Sequence, residues 1–286
     1  MLQQIARSNR IVILTGAGIS RAAGIPDFRS EDGLYSTQRD PGDPNPKDIL
    51  HIDSLKTEAG LQQLYSLLHT LWQSATVADH TNTHRMIALL SRIGRLRGYF
   101  TQNIDGIDES LGMLPMSLSG EHNGWDSFLQ LHGSVRWLKC SVCSWKEPWT
   151  DEWWEKFQNT KKHVNCPACP QVSRFGRPVK GGYVRTEVLL YGEPHPDEET
   201  VISHFNYKAL GEPDLLLIIG TSLNTASSTS LLQLVRELSI SIRQCDTGCI
   251  IFMNKDSPPP SLEQHIDYML AGDLQTWSLK IMETVS

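Results

Sequence analysis

Apolar runs in this chain are short and unbroken. Ile11-Val12-Ile13-Leu14, Leu215 to Ile219 and Cys249 to Phe252 carry no charged or hydroxyl side chain, the pattern of parallel strands covered on both faces. Tyr99-Phe100-Thr101 and Phe128 to Leu131 are further strand candidates. Elsewhere apolar positions recur at helical spacing, around Leu61 to Trp72 and again around Asn82 to Leu96. Strands alternating with helices predict an α/β doubly wound parallel sheet. The first strand runs into Thr15-Gly16-Ala17-Gly18-Ile19-Ser20, a glycine turn expected to open a helix.

Two stretches break the rhythm. From Ile25 to Ile49 the chain is rich in Pro, Gly and Asp, notably in Asp40-Pro-Gly-Asp-Pro-Asn-Pro46. It is expected to be a long functional loop, a lid, without regular structure. The segment from Ser134 to Arg185 holds two Cys-x-x-Cys pairs and five of the eight tryptophans, but no long apolar run. It reads as a small module inserted into a larger domain, a division that a chain of 286 residues suits.

Composition narrows the classes. Hydrophobic residues make up 40% and charged residues 20%, the balance of a globular protein with ample core material. A formal net charge of −6 excludes a nucleic-acid-coating protein and favours a basic partner such as a lysine-rich tail. No apolar run is long enough to span a membrane. No signal-peptide core precedes Ile11, so secretion is not expected.

The cysteines carry the clearest local chemistry. Cys140-x-x-Cys143 and Cys166-x-x-Cys169 stand 22 residues apart, and two such knuckles can aim four thiolates at one tetrahedral zinc. Four thiolates close the coordination shell, so the ion is structural and a hydrolytic metal is excluded. Cys245 and Cys249 lie outside the module and read as buried small apolar residues. Arg174, Arg177, Lys180 and Arg185 follow the second pair with no acid among them and read as a solvated face.

Gly16-Ala17-Gly18 after a buried strand fits the start of a dinucleotide loop, where glycine permits a tight turn and close approach to pyrophosphate. The full Gly-x-Gly-x-x-Gly spacing is not met, since Arg21 occupies the third glycine position. Polar residues nevertheless cluster at strand ends: Gln102-Asn103-Ile104-Asp105, His132-Gly133, Gly220-Thr221-Ser222-Leu223 and Asn254. In an open parallel sheet, ligands bind outside the carboxyl ends of the strands, so these residues describe one crevice.

The order of Gly16-Ala-Gly-Ile-Ser20, Gly24-Ile-Pro-Asp-Phe-Arg-Ser30, Thr101-Gln-Asn-Ile-Asp105, His132-Gly133, the two Cys-x-x-Cys pairs, Tyr191-Gly-Glu193, Gly220-Thr-Ser-Leu223 and Asn254 resembles that of the sirtuins, over about Arg10 to Leu274. The resemblance implies a Rossmann-like NAD-binding domain, 1–133 and 186–286, carrying a lid loop and helical segment at 25–80. A four-cysteine zinc module, 134–185, would be inserted in it. It implies an NAD-dependent protein-lysine deacetylase, in which the acyl oxygen attacks the nicotinamide ribose, nicotinamide departs and the acyl group ends on ADP-ribose. His132 would be the general base, an imidazole with an ordinary pKa near 6.5. Asn103 would hold the ribose and an ordered water, with Ile104 and Asp105 receiving the nicotinamide amide. Phe28 would shield the reacting carbon from water. Arg29 would approach the phosphate or ribose from the lid. Gly16, Ala17, Gly18, Ser20, Asp27, Gln102, Gly220, Thr221, Ser222, Asn254 and Leu274 would line the rest of NAD. The acyl-lysine would enter beside Leu189 and Tyr191, its backbone pairing near Gly192-Glu193 and Asn224.

Some positions depart from the commoner sirtuin pattern. Arg185-Thr-Glu-Val-Leu-Leu-Tyr-Gly-Glu193 stands where Arg-Pro-Asp-Val-Val-x-Phe-Gly-Glu is usual, so Leu189 and Tyr191 are expected to narrow the acyl tunnel toward acetyl. Thr225 and Ser227 replace the usual Val and Pro. Phe28-to-Tyr35 and Leu138-to-Cys143 look closest to the histone-directed fungal nuclear branch, which implies an acetylated histone tail as partner and a nuclear location, with the cytoplasm as the alternative; direct nucleic-acid contact is not expected. Two rival functions use the same residues: an NAD-dependent mono-ADP-ribosyltransferase or NAD hydrolase, and a non-catalytic zinc-containing chromatin-binding module.

Overall fold

The computed structural model describes residues 1–27, 45–116, 127–160, 162–170, 181–195, 198–223 and 229–285. In chain order the strands are β1 (Ile11–Thr15), β2 (Leu96–Thr101), β3 (Leu114–Pro115), β4 (Ser127–Gln130), β5 (Trp137–Cys140), β6 (Lys146–Pro148), β7 (Val184–Thr186), β8 (Leu215–Ile219), β9 (Cys249–Met253) and β10 (Tyr268–Leu270). The α-helices are α1 (Leu2–Arg7), α2 (Pro46–Ile49), α3 (Glu58–Val77), α4 (Asn82–Arg92), α5 (Asp151–Thr160), α6 (Glu198–His204), α7 (Thr229–Arg243), α8 (Pro260–Glu263) and α9 (Leu274–Val285). Seven strands form one sheet in the order β10-β9-β8-β1-β2-β4-β3, and every pairing in it is parallel. β5, β6 and β7 form a separate antiparallel sheet, order β6-β5-β7, between the two halves of the larger one in sequence.

The apolar strands are apolar because both faces are covered. Along β1, Ile11 and Ile13 join one core cluster while Val12 and Leu14 join another. The alternation repeats on β8, where Leu215, Leu217 and Ile219 face the first and Leu216 and Ile218 the second. Residues of α4 and α9 close the first face, and Leu231, Val235, Leu238 and Ile242 of α7 close the second. Those four sit at intervals of four, three and four, one stripe of a helix. A third cluster lies off the sheet. In it Leu61, Leu64, Tyr65 and Leu68 of α3 pack with Leu138, Trp149, Trp153, Phe157 and Val184 of the four-cysteine segment. Tyr65 stacks on Phe157 at 4.1 Å between ring centroids, and His69 stacks on Trp154 at 4.0 Å.

Three expectations need correction. The glycine turn after β1 opens not an α-helix but two short 3₁₀ turns, Ala17–Ile19 and Arg21–Ala23. The second stops where Gly24 takes φ +83°, so no long helix dipole is aimed at the cleft. The helical period read to Leu96 ends at Arg92, because Gly94 at φ +72° turns the chain into β2. Within the supposedly irregular Ile25–Ile49 stretch, Pro46–Ile49 is a helical turn whose Asn45 side chain caps Lys47 N–H at 3.0 Å. Residues 28–44, the remainder of that lid, lie outside the described residues.

Leu217 is fully buried at the middle of the sheet. Leu217→Ala is expected to cost about 2–5 kcal/mol of stability, read as a lower urea midpoint with an unchanged slope.

Candidate functional site

Strand order reverses at β1. Chain following it crosses to β2 on one side, while β8 lies on the other, and loops leaving such a switch point splay apart to leave a crevice. Their bases stay locked: Gly16 N–H donates to Ile219 O at 3.1 Å and Gly18 N–H to Gly220 O at 2.9 Å. A Cβ on Gly18 would lie 2.8 Å from Gly220 O and 2.9 Å from Gly220 Cα. Gly220, at φ +64°, would itself meet Ile19 N at 2.8 Å. These glycines are thus required by the approach of one loop to the other, before any ligand is considered.

Above this interlock lies a cavity of about 710 Å³. It brings together Gly16, Ala17, Gly18, Asp27, Gln102, Asn103, Ile104, His132, Gly220, Thr221, Ser222, Asn254 and Leu274, with Leu189, Tyr191, Gly192 and Glu193 at its other end. Ser20 and Asp105 are not on its wall but buried behind it. Phe28, Arg29 and Asn224 lie outside the described residues, as do Thr225 and Ser227. The sequence reading missed Arg21, Leu50 and the run Lys255-Asp256-Ser257, which also line the cavity. Lys255 to Ser257 directly follow the recognised Asn254 at the end of β9, which was a usable signal. Leu50 had none, since it arrives through a β-bridge of His51 to Tyr191. Arg21, in place of the third glycine, pairs with Asp27 at 3.3 Å.

A polar layer fixes Asn103. Its Nδ2 donates to Ser20 Oγ at 3.1 Å, and Ser20 Oγ donates to Asp105 Oδ2 at 2.8 Å. Asp105 Oδ1 accepts from Ile107 N–H at 3.1 Å. Asp105 therefore reaches the Asn103 side chain through Ser20. Asn103 Oδ1 is buried with no hydrogen-bond partner; a buried acceptor left so is costly, and a ligand hydroxyl or water in the cavity would satisfy it. Beside it, Gln102 Nε2 donates to Thr221 Oγ1 at 2.8 Å, tying β2's end to β8's.

His132 lies in the turn just after β4, and its carbonyl accepts Leu189 N–H at 3.0 Å. Burial, and then the neighbouring His195, push its pKa down to about 4. The expected ordinary imidazole value thus gives way to a lowered one, which favours the neutral form that a base needs. His195 reaches across to Leu131 O at 3.2 Å.

Arg185 is buried behind the loop that bears Glu193 and is not part of a solvated face. It is 6% exposed and grips Glu193 with two parallel bonds, 2.7 Å to Oε1 and 2.8 Å to Oε2. Its Nη2 also donates to Val188 O at 2.9 Å, and Glu193 Oε2 accepts Leu190 N–H at 3.1 Å. Burial would raise the Glu193 carboxyl, but the Arg185 bonds and charge outweigh it and hold it below its usual range. The clasp closes the loop that carries Leu189 and Tyr191. Arg174, Arg177 and Lys180 lie outside the described residues.

The four cysteines converge. Cys140 Sγ is 3.6 Å from Cys169 Sγ, Cys143 Sγ is 3.7 Å from Cys166 Sγ, and all four sulfurs lie within 4.8 Å of one another. Tetrahedral zinc with bonds of about 2.3 Å sets sulfurs about 3.8 Å apart, so the donor set fits one zinc. Val142 and Cys143 N–H both point to Cys140 Sγ at 3.3 Å, as on a metal-binding knuckle. Of the other cysteines, Cys249 is buried as expected, whereas Cys245 is half-buried with its sulfur 2.7 Å from Tyr207 Oη.

A parallel sheet with its crevice at the switch point, beside a four-thiolate module, defines a dinucleotide-binding α/β protein with a structural metal. Residues 16–227 match the Sir2 family model, and the chain belongs to the Sir2 family. It is 33% identical over 298 residues to the NAD-dependent histone deacetylase HST3 of Saccharomyces cerevisiae, covering 96% of this chain and 65% of that protein. It is 32% identical to HST3 of Candida albicans, covering 96% of this chain and 59% of that protein. The chain thus spans less than two thirds of these relatives' length. A Sir2 homologue–NAD complex shares the fold, with a TM-score of 0.67, 23% identity and coverage of 99% of this chain and 92% of that one. Another Sir2 enzyme structure gives 0.65 at 26% identity, over 99% and 95%. Among the described residues no helix is long and apolar enough to cross a membrane.

Metal analysis of the purified protein is expected to return one zinc per chain. Cys166→Ser should lose most of it and melt at a lower temperature than the parent. A zinc-free chain of unchanged stability would refute the assignment.

Proposed function

We propose that this chain is an NAD-dependent protein-lysine deacetylase that passes the acetyl group to ADP-ribose, releases nicotinamide and acts on acetylated histone lysines in the nucleus. The observation that carries the reading is a single cavity with two chemically different ends. One is a glycine-and-hydroxyl end at Gly16–Gly18, Gly220–Ser222 and Asn254, and the other an apolar end at Leu189 and Tyr191, with Asn103 and His132 between. That the fungal relatives are NAD-dependent histone deacetylases supports the substrate class, and a histone substrate is met in the nucleus.

Bound NAD supplies a glycosidic carbon that nicotinamide leaves and an acyl oxygen can take. The chain's own residues do the rest. Gly16, Ala17, Gly18, Gly220, Thr221, Ser222, Asn254 and Leu274 hold the dinucleotide, with Ser20 supporting from behind. Asn103 Oδ1 accepts from a ribose hydroxyl or an ordered water. Ile104 lies against the nicotinamide end, and Asp105 holds the Ser20–Asn103 pair in place. Neutral His132 takes a proton from a ribose hydroxyl. Phe28 shields the reacting carbon from water and Arg29 serves the phosphate or ribose, while Gly192, Glu193 and Asn224 meet the peptide backbone. The sheet domain, 1–133 and 186–286, and the inserted module, 134–185, remain the proposed division, with α3 going to the module's side by its packing.

The test is mass spectrometry of an acetylated histone-tail peptide with and without NAD. Loss of acetyl only with NAD, together with acetyl-ADP-ribose, is the expected result. NAD consumed with the peptide intact would move the reading to the transferase or hydrolase. His132→Ala should lower kcat by about 10²–10⁴-fold. Because burial lowers the His132 pKa, the base stays unprotonated as pH falls through the usual imidazole range. The acid limb of kcat/KM should then centre near 4, and a limb at an ordinary imidazole value would contradict it. An acetylated peptide should turn over faster than a myristoylated one, with Leu189→Ala narrowing the gap.

A further inference from the structure

Behind the cavity floor runs a line of buried oxygens that the proposed chemistry does not use. Tyr99 on β2 is 2% exposed, Asp108 is 1% and Thr15 and Thr101 are 0% and 1%. Tyr99 Oη lies 3.1 Å from Asp108 Oδ1 and 3.3 Å from Thr15 Oγ1. Thr15 Oγ1 donates to Thr101 Oγ1 at 2.8 Å, and Thr101 Oγ1 accepts Asn103 N–H at 3.1 Å. β1–β2 register puts Thr15 directly opposite Thr101, so the line is built into the sheet. Its far end is the turn that presents Asn103 to the cavity.

The phenol has one proton and two oxygens to serve. An ionised Asp108 would claim that proton and leave Thr15 Oγ1 without a donor from Tyr99. A protonated Asp108 instead donates to Tyr99, whose own proton then goes to Thr15 and so on to Thr101. A buried carboxylate without a counter-charge is expensive, and among the described residues no cation pairs with Asp108. Burial, and then the charge of Asp105, push its pKa up to about 8, which favours the neutral acid.

We propose that Asp108 and Tyr99 are positioning residues: neutral Asp108 donates to Tyr99 and so orients the Thr15–Thr101 hydroxyls on which the Asn103 turn hangs. The proposal rests on the deacetylase reading only for its kinetic consequence. Its structural consequence, a pinned Asn103 amide, stands independently.

The experiment compares Tyr99→Phe, Asp108→Asn and Asp108→Leu in the full chain, each checked for a cooperative melt. Readouts are kcat and KM for an acetylated peptide, and hydrogen exchange at the Asn103 amide. Tyr99→Phe and Asp108→Leu are expected to lower kcat about tenfold with the peptide KM little changed, the signature of a misplaced reacting group. Both should speed Asn103 exchange. Asp108→Asn, uncharged and still able to donate, should restore both readouts close to the parent's. If Asp108→Asn is as impaired as Asp108→Leu, or Asn103 exchange is unchanged in Tyr99→Phe, the relay is overturned. Should Tyr99→Phe not fold, the Asn and Leu pair at Asp108 decides. A parent without NAD-dependent deacetylation would sink the functional reading, while the exchange comparison would still judge the relay.

Discussion

Backbone contact between the loops leaving β1 and β8 is the constraint from which the site follows. Gly18 N–H reaches Gly220 O at 2.9 Å, and no Cβ fits on either residue. Adjacent parallel strands bring their carboxyl ends side by side, but side chains would hold the loops apart. Glycine removes that spacer, so the loops start in contact and then diverge. The floor of the crevice is bare backbone. Thr221 next to Gly220 then meets Gln102, which fixes Asn103 and Ile104 of the neighbouring strand end in turn.

The same logic explains what the sequence made legible. β1, β8 and β9 stood out because residues of both parities are apolar, which only a doubly covered strand requires. The cysteine pairs stood out because their spacing is itself geometry. The strand-end residues were readable because a parallel sheet sends every carboxyl end to one edge. Properties conferred by distant chain were not readable. Arg185 looked like part of a basic, solvated run, yet its environment comes from Glu193 and from the packing around Val188. Asp108 sits in an Asp-Glu-Ser stretch that reads as surface, and nothing local announces that Tyr99 lies above it. The basicity of His132 depends on burial and on His195, neither visible at the His-Gly motif. The two 3₁₀ turns after β1 follow from the interlock, which dictates where the chain leaves the strand and overrides any helical preference.

One hydrophobic cluster links the metal centre to the cavity. Cys140, Cys166 and Cys169 share it with Leu138, Val184, Val188 and Leu190, and with Tyr65 and Leu68 of α3. Residues flanking Leu189 are thus packed into the mass that the four sulfurs organise. A structural ion has its effect here by fixing the shape of an apolar body, one side of which is the wall of the cavity.

The Arg185–Glu193 clasp gives that wall a modular character. Arg185 is the buried partner and Glu193 the half-buried one, so loss of the carboxylate would strand the arginine's charge. The side chains inside the closed loop, Leu189 and Tyr191 among them, take no part in the clasp. Their size can vary while the backbone path stays fixed by bonds to Val188 O and Leu190 N–H. The fold therefore separates the frame of the pocket from its gauge, so that the width of the cavity can change by single substitutions without reopening the problem of folding.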